Sequence, residues 1–357
     1  MTESSDTKTL EAKCHCGSVH FTIDVPVSKL PLLTHLCHCS LCRYGSGAPC
    51  IFHAPLPKGI DLNFVEPSSE SNMSSYGING NEKAWNFCST CGCHIASRGP
   101  PGSVSWTVAS SIFLDAGDYF DIRKHIFSKS TNDGGMAEAL THTNGKEFID
   151  WNPPDDSPEA KIVESQAEVG EDGRERLRVE CQCKGVSFTI PRPSQEIKED
   201  KYYSEFVSHR DNKKWYATFD ACDDCRIVNG TSVVGWTFIP LSVCEPRIGD
   251  DLLIGTAKTY KSSDNVVRSF CGTCGATVFY SHVCRRPSEN HHIVDLATGI
   301  IRAPEGVMAE NWLTWRARLA WADSGKKFDS KFTEALQEGM KKWVLKREGE
   351  IEDYNIG

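Results

Sequence analysis

Apolar residues in this chain come in short runs rather than long ones. The stretches SVHFTIDV (18–25), VSFTIPRP (186–193), SVVGWTFIPL (232–241) and ATVFYSHV (276–283) are rich in Val, Ile, Phe and Thr, and Gly, Pro and Asn punctuate the sequence between such runs. Side chains of these types at this density fit a pleated surface, so the pattern predicts a mainly β protein. One segment departs from it. In KFTEALQEGMKKWVLKRE (331–348), Phe332, Leu336, Met340 and Val344 recur every four residues, which places them on one face of a helix. That helix is expected to pack on the second half of the chain, within a C-terminal tail at 326–357.

The runs are ordered by a repeat. The first copy reads Cys14-X-Cys16-Gly17, then Cys37-X-Cys39-X-X-Cys42-Arg43, then Phe87-Cys88-X-X-Cys91-Gly92. The second reads Cys181-X-Cys183-X-Gly185, then Asp220-X-Cys222-X-X-Cys225-Arg226, then Phe270-Cys271-X-X-Cys274-Gly275. A span of 46 residues leads from Cys42 to Cys88 and again from Cys225 to Cys271. Tyr76 and Tyr260 stand at similar distances before the last pair, and WTVASSIF (106–113) parallels VDLATGII (294–301). Agreement in order, spacing and flanking residues identifies a tandem duplication.

Between the copies, WNPPDDSPEAKIVESQAEVGEDGRERLR is dense in Pro, Asp and Glu with little apolar periodicity, the composition of a solvated linker. The expected organisation is a first domain at 10–150, an acidic linker at 151–176, a second domain at 177–325 and the helical tail.

Composition narrows the class of partner. With 39% hydrophobic and 24% charged residues the 357-residue chain is that of a globular protein, and its net charge of -9 argues against a polyanion-binding surface. Nucleic acid is therefore not an expected partner. No apolar run approaches the roughly 18 residues a membrane span requires, so no membrane partner is expected either. The N-terminus lacks the basic and apolar regions of a signal peptide. Seventeen cysteines without such a signal fit a reducing compartment, cytoplasmic or nuclear, where thiols remain free for metal or catalysis.

A short Cys-X-X-Cys loop places two thiolates about 2.3 Å from one zinc ion, and a distant second pair closes the tetrahedron. Four ligands make a structural site; three leave a position for substrate. The first copy's seven patterned thiols divide into Cys14, Cys16, Cys88 and Cys91 as a closed site and Cys37, Cys39 and Cys42 as an open one. The competing readings are an iron-sulfur cluster, a redox dithiol and buried free cysteines. Cys50, Cys93, Cys244 and Cys284 have no counterpart in the other copy and are read as ordinary thiols.

CHCGSVHF, CHCSLCRYGSGAP and FCSTCGCHI, followed by SSDNVVRSFCGTCGATVFY in the second copy, resemble the glutathione-dependent formaldehyde-activating enzyme family, which includes the centromere protein V domain. The resemblance implies two tandem β-tent zinc domains with zinc-ribbon-like cysteine pairs. It implies a structural zinc on Cys14, Cys16, Cys88 and Cys91 and a catalytic zinc on Cys37, Cys39 and Cys42. In the second copy Cys181, Cys183, Cys271 and Cys274 keep the structural role. There the catalytic triplet becomes Asp220, Cys222 and Cys225, either a mixed site with a carboxylate ligand or one that has lost its metal. The expected content is two Zn2+ ions in the first domain and one or two in the second.

The implied reaction joins a thiol to an aldehyde, or reverses that step, as a carbon-sulfur lyase forming or cleaving S-(hydroxymethyl)glutathione, with glutathione as co-substrate. The partner is a small-molecule thiol adduct or an aldehyde. Two alternatives are a tailoring enzyme acting on another metabolite through the same zinc, and a non-catalytic zinc-stabilised binding or scaffold protein. The second domain is expected mainly to pack against the first or shape its entrance. Arg43, with Arg226 as its repeat partner, would pair with a substrate carboxylate or bind main-chain carbonyls. His38 is expected to be an exposed side chain, His125 to border the active-site region, and His291 and His292 to lie on the surface.

Overall fold

Among the described residues each half folds its short runs into one large sheet and one three-stranded sheet, and the first half adds a two-stranded hairpin, His142–Thr143 with Lys146–Glu147. The computed structural model describes residues 6–78, 83–99, 105–115, 118–154, 168–351 and 354. In the first half the large sheet runs Ile149–Trp151, Phe120–Ile126, Leu32–Cys37, Ile51–Pro55, Trp106–Ala109, His94–Arg98, Lys83–Cys88 and Met73–Ile78. In the second it runs Leu313–Trp315, Trp215–Asp220, Val234–Pro240, Ile293–Ala297, Thr277–His282, Val266–Cys271 and Ala257–Ser263. Leaving out the edge strand Ile149–Trp151, the two orders match strand for strand. Both sheets also contain one corresponding parallel pair, Leu32–Cys37 with Phe120–Ile126 and Trp215–Asp220 with Leu313–Trp315. The mainly β class and the duplication are thus borne out. Of the expected linker, 155–167 lies outside the described residues, while Glu168–Val169 pairs with the strand Glu175–Glu180.

Among the described residues four α-helices accompany the sheets: α1 (Ser40–Ser46), α2 (Gln195–Glu199), α3 (Asp223–Asn229) and α4 (Ala322–Glu348). α1 and α3 are repeat partners and carry the cysteine triplets. α4 begins earlier than the periodicity indicates and has a non-helical residue at Asp329, whose carboxylate accepts the Phe332 N–H at 2.9 Å and so caps the segment that the periodicity picked out. It does not belong to the second half alone. Phe332 packs edge-on against Phe52 of the first half, with centroids 5.3 Å apart, and the Gly339 backbone presses on the Ala139 carbonyl. No helix among the described residues is long and apolar enough to cross a membrane.

The two halves clasp each other through reciprocal contacts. His15 N–H donates to the Ile227 carbonyl of α3, and Gln182 N–H donates to the Tyr44 carbonyl of α1, so each hairpin tip holds the other half's helix. Tyr76 packs on the core that carries most second-half residues, while Tyr260 packs on the first-half core and shares a 2.7 Å hydrogen bond with His15. The larger core is continuous across the boundary, joining Phe52, Leu140 and Phe148 to Phe219, Trp236 and Trp315.

Two glycines show how closely the backbones approach. Gly47 and Gly230 end α1 and α3 at φ +80 and +68. A Cβ on Gly47 would lie 2.3 Å from the Thr277 carbonyl oxygen, and one on Gly230 2.1 Å from that of His94. His94 sits buried at this seam, donating from Nε2 to the Gly275 carbonyl at 3.2 Å, and burial pushes its pKa down to about 4, so it stays neutral. Gly230→Ala is expected to lose about 3 kcal/mol in chemical denaturation, combining left-handed strain with the clash. Gly59→Ala, at φ +90 in open space, should lose only about 1 kcal/mol. Equal losses would mean that the seam yields.

Candidate metal centres

The closed cages form where hairpin tips meet. Cys14 and Cys16 lie in the turn between Thr7–Lys13 and His20–Pro26, and Cys88 and Cys91 at the turn between Lys83–Cys88 and His94–Arg98. Their four sulfurs lie within 4.8 Å of one another, with Cys16 at 3.5 Å from both Cys14 and Cys88. Cys181, Cys183, Cys271 and Cys274 repeat the arrangement, with Cys183 at 3.5 Å from Cys181 and 3.4 Å from Cys271. A tetrahedral ion with metal-sulfur bonds of about 2.3 Å needs sulfurs about 3.8 Å apart, so both cages fit with an opening of a few tenths of an ångström. Backbone N–H groups of Gly185, Val186, Thr273 and Cys274 donate to the second cage's sulfurs, which steadies thiolates. Crowding drives the thiol pKa values apart. Hydrogen bonds from Cys14, Cys16 and Cys91 hold Cys88 far below the usual thiol range, and those from Cys181, Cys183 and Cys274 do the same for Cys271.

The first triplet occupies the end of a core strand and the start of α1. Cys37 closes the strand, and Cys39 is the N-cap residue, its Sγ accepting the Cys42 N–H at 3.4 Å and standing 3.4 Å from the Cys37 sulfur. Hydrogen bonds from Cys37 and then Cys42 hold Cys39 well below the ordinary thiol pKa. Ile51, Leu41, Ile126 and Phe127 give the triplet an apolar wall. Three converging sulfurs and no fourth donor leave one coordination position open among the described residues.

His38 corrects the expectation of an exposed side chain. It is fully buried, and its Nε2 lies 2.9 Å from His125 Nδ1. Because His125 Nε2 donates to the Leu140 carbonyl at 2.8 Å, its Nδ1 is the acceptor and His38 supplies the hydrogen. Burial lowers both pKa values, so the pair is neutral. It works as a clamp, fastening the triplet loop to Phe120–Ile126 together with the His38 N–H to Ile126 carbonyl bond. Of the two readings of Arg43, the geometry displays main-chain binding: the buried guanidinium donates to the carbonyls of His38 at 3.0 Å and Ser130 at 3.4 Å. Arg226 pairs with Asp223 and donates to the Ser111 carbonyl of the other half.

The second triplet also converges. Asp220 Oδ1 accepts the Cys222 N–H at 2.7 Å, and Oδ2 stands 3.5 Å from Cys225 Sγ. Burial raises the Asp220 pKa. A side chain the sequence reading passed over lies against it: both terminal nitrogens of Arg268 approach Cys225 Sγ, at 3.5 and 3.6 Å. The available signal was that Arg268 stands where the first copy has Trp85. His292 is another correction, since it is buried between Asp250 Oδ1 at 2.9 Å and Ser281 Oγ at 2.8 Å. His291 is half-buried against Asp200 at 3.0 Å. Cys50, Cys93 and Cys244 are buried and Cys284 is exposed, and all four lie outside the clusters.

A duplicated β scaffold with, among the described residues, two four-cysteine and two three-donor clusters defines a tandem protein able to hold metal ions. The family model described as glutathione-dependent formaldehyde-activating enzyme matches residues 9–130 and 207–315, and the chain belongs to that family. No curated protein and no solved structure matches it.

Proposed function

We propose that the chain is a zinc-dependent carbon-sulfur lyase that forms or cleaves a thiol-aldehyde adduct, with S-(hydroxymethyl)glutathione as the reference substrate. The observation that carries this reading is the contrast within one half: Cys14, Cys16, Cys88 and Cys91 surround a point on all sides, whereas Cys37, Cys39 and Cys42 leave one side free. Zinc held there supplies a charge that keeps an incoming thiol as thiolate and steadies negative charge developing on the aldehyde oxygen.

The protein's own groups set the stage for that chemistry. The α1 cap and the His38–His125 clamp fix the three sulfurs before substrate arrives, so little reorganisation is left to the reaction. The wall of Ile51, Ile126 and Phe127 restricts water at the reacting face, which strengthens electrostatic attraction there. In this reading the first domain, 10–150, is the working one, and Arg43 acts by anchoring the triplet loop. The second domain, 177–325, holds its own structural zinc on Cys181, Cys183, Cys271 and Cys274.

The test is magnetisation-exchange NMR with 13C-formaldehyde and glutathione. Micromolar zinc-loaded protein should speed exchange between hydrated formaldehyde and the hydroxymethyl adduct at least about tenfold over buffer. An exchange rate unchanged by protein would overturn the proposal for this substrate pair.

A further inference from the structure

The second triplet differs from the first by more than one ligand. Arg268, Tyr280 and Asp295 are paired across three neighbouring strands. The same positions in the first half are Trp85, Ser97 and Thr107, paired in the same register. One sheet row has therefore exchanged neutral residues for a guanidinium, a phenol and a carboxylate, next to a triplet that exchanged a thiol for a carboxylate. The row is coupled to the triplet: Arg268 reaches Cys225 Sγ, and its guanidinium lies 4.8 Å from the centre of the Tyr280 ring.

Arg268, Asp295 and Asp220 are all more than nine-tenths buried, at 5%, 6% and 8% exposure. Burying charges costs several kcal/mol each unless something compensates them; Arg285 pairs with Asp295 at 3.5 Å, which leaves Asp220 and Arg268 as the charges facing the triplet. The donor set also fits an ion. With metal-oxygen and metal-sulfur bonds of about 2.0 and 2.3 Å, a tetrahedral edge between them is about 3.5 Å, the separation found between Asp220 Oδ2 and Cys225 Sγ. The Cys222 N–H holds the other carboxylate oxygen, so Oδ2 is the one aimed at the ion. Cys222 is only half-buried, which gives the site a side toward solvent.

Charge and softness separate the two open centres. Arg268 donates directly toward a ligand sulfur, whereas Arg43 donates to main-chain carbonyls. A donated hydrogen bond draws electron density from the sulfur, and a carboxylate is a harder donor than a thiolate. We propose that Asp220, Cys222 and Cys225 form a working zinc site of a second kind, made more electrophilic by Arg268, that takes an oxygen-donor ligand such as water or a small carboxylate.

This proposal stands apart from the lyase reading because it is tested in the full chain carrying Cys39→Ala. That chain should hold three zinc ions, and adding Asp220→Ala or Cys222→Ser should reduce the count to two. With cobalt in place of zinc, acetate should shift the visible bands of the Cys39→Ala chain while 2-mercaptoethanol at equal concentration leaves them unchanged. Arg268→Met should weaken the acetate response at least tenfold, and Arg268→Lys should restore part of it. An unchanged zinc count in both double variants, bands that answer to thiol instead of acetate, or acetate binding indifferent to Arg268→Met would each overturn it.

Discussion

Cys39→Ala should release one zinc ion per chain and lower adduct turnover at least a hundredfold while the chain stays folded. Both halves of that expectation follow from where the residue sits. Cys39 supplies one of only three donors, and two thiolates do not retain zinc against competition from water and buffer. Its structural work is small. It caps a seven-residue helix through one hydrogen bond to the Cys42 N–H, a contact whose loss costs about 1 kcal/mol. The loop has other fastenings: the Arg43 bonds to two carbonyls, the His38–His125 contact and the pairing of Leu32–Cys37 on both sides. The lost cap should therefore lower the thermal midpoint by only about 1–2 °C. Zinc counting, circular dichroism and the exchange assay together read the outcome. A variant that keeps the full zinc complement would show that the seven thiols do not divide as four and three.

Much of this was legible because metal chemistry and duplication both write fixed spacings into a chain. Four cysteines that must meet at one ion cannot drift, so Cys14, Cys16, Cys88 and Cys91 could be grouped without coordinates, and the second copy confirmed each position. The periodicity of Phe332, Leu336, Met340 and Val344 likewise found α4. What escaped depends on contacts between segments far apart in sequence. A histidine between two ligands looks exposed until His125, 87 residues away, is brought beside it. The side of the molecule on which α4 lies is set by Phe52 and Ala139, which no local pattern announces. Arg268 was visible as a residue and as a departure from the repeat, but its meaning required the strand register that places it against Cys225.

The seam explains why the two halves should fail together. The closed cages are part of it, since the His15 and Gln182 bonds run from cage turns to the opposite helices. Each cage turn therefore staples its own hairpins and also positions the other half's triplet helix.

Cys88→Ala consequently tests more than one cage, and its effect should be the largest of any single substitution considered. A structural zinc site contributes about 10–16 kcal/mol in isolated finger peptides, while whole domains are stable by only about 5–15 kcal/mol. Even a third of that contribution lost, about 3–5 kcal/mol, should lower the thermal midpoint by about 4–7 °C in a chain of this length that unfolds as one unit. The neighbouring Cys93→Ala is the control. Cys93 is fully buried and close in sequence but outside the cage, so its loss opens a small cavity worth about 1 kcal/mol. Because the larger core and the backbone seam are continuous across the boundary, Cys88→Ala should unfold both halves in one transition and release zinc from the intact second cage as well. Calorimetry with a zinc-responsive dye reads both events in one experiment. A second half that survives as a protease-resistant fragment with its zinc retained would show that the halves are joined more loosely than the seam implies.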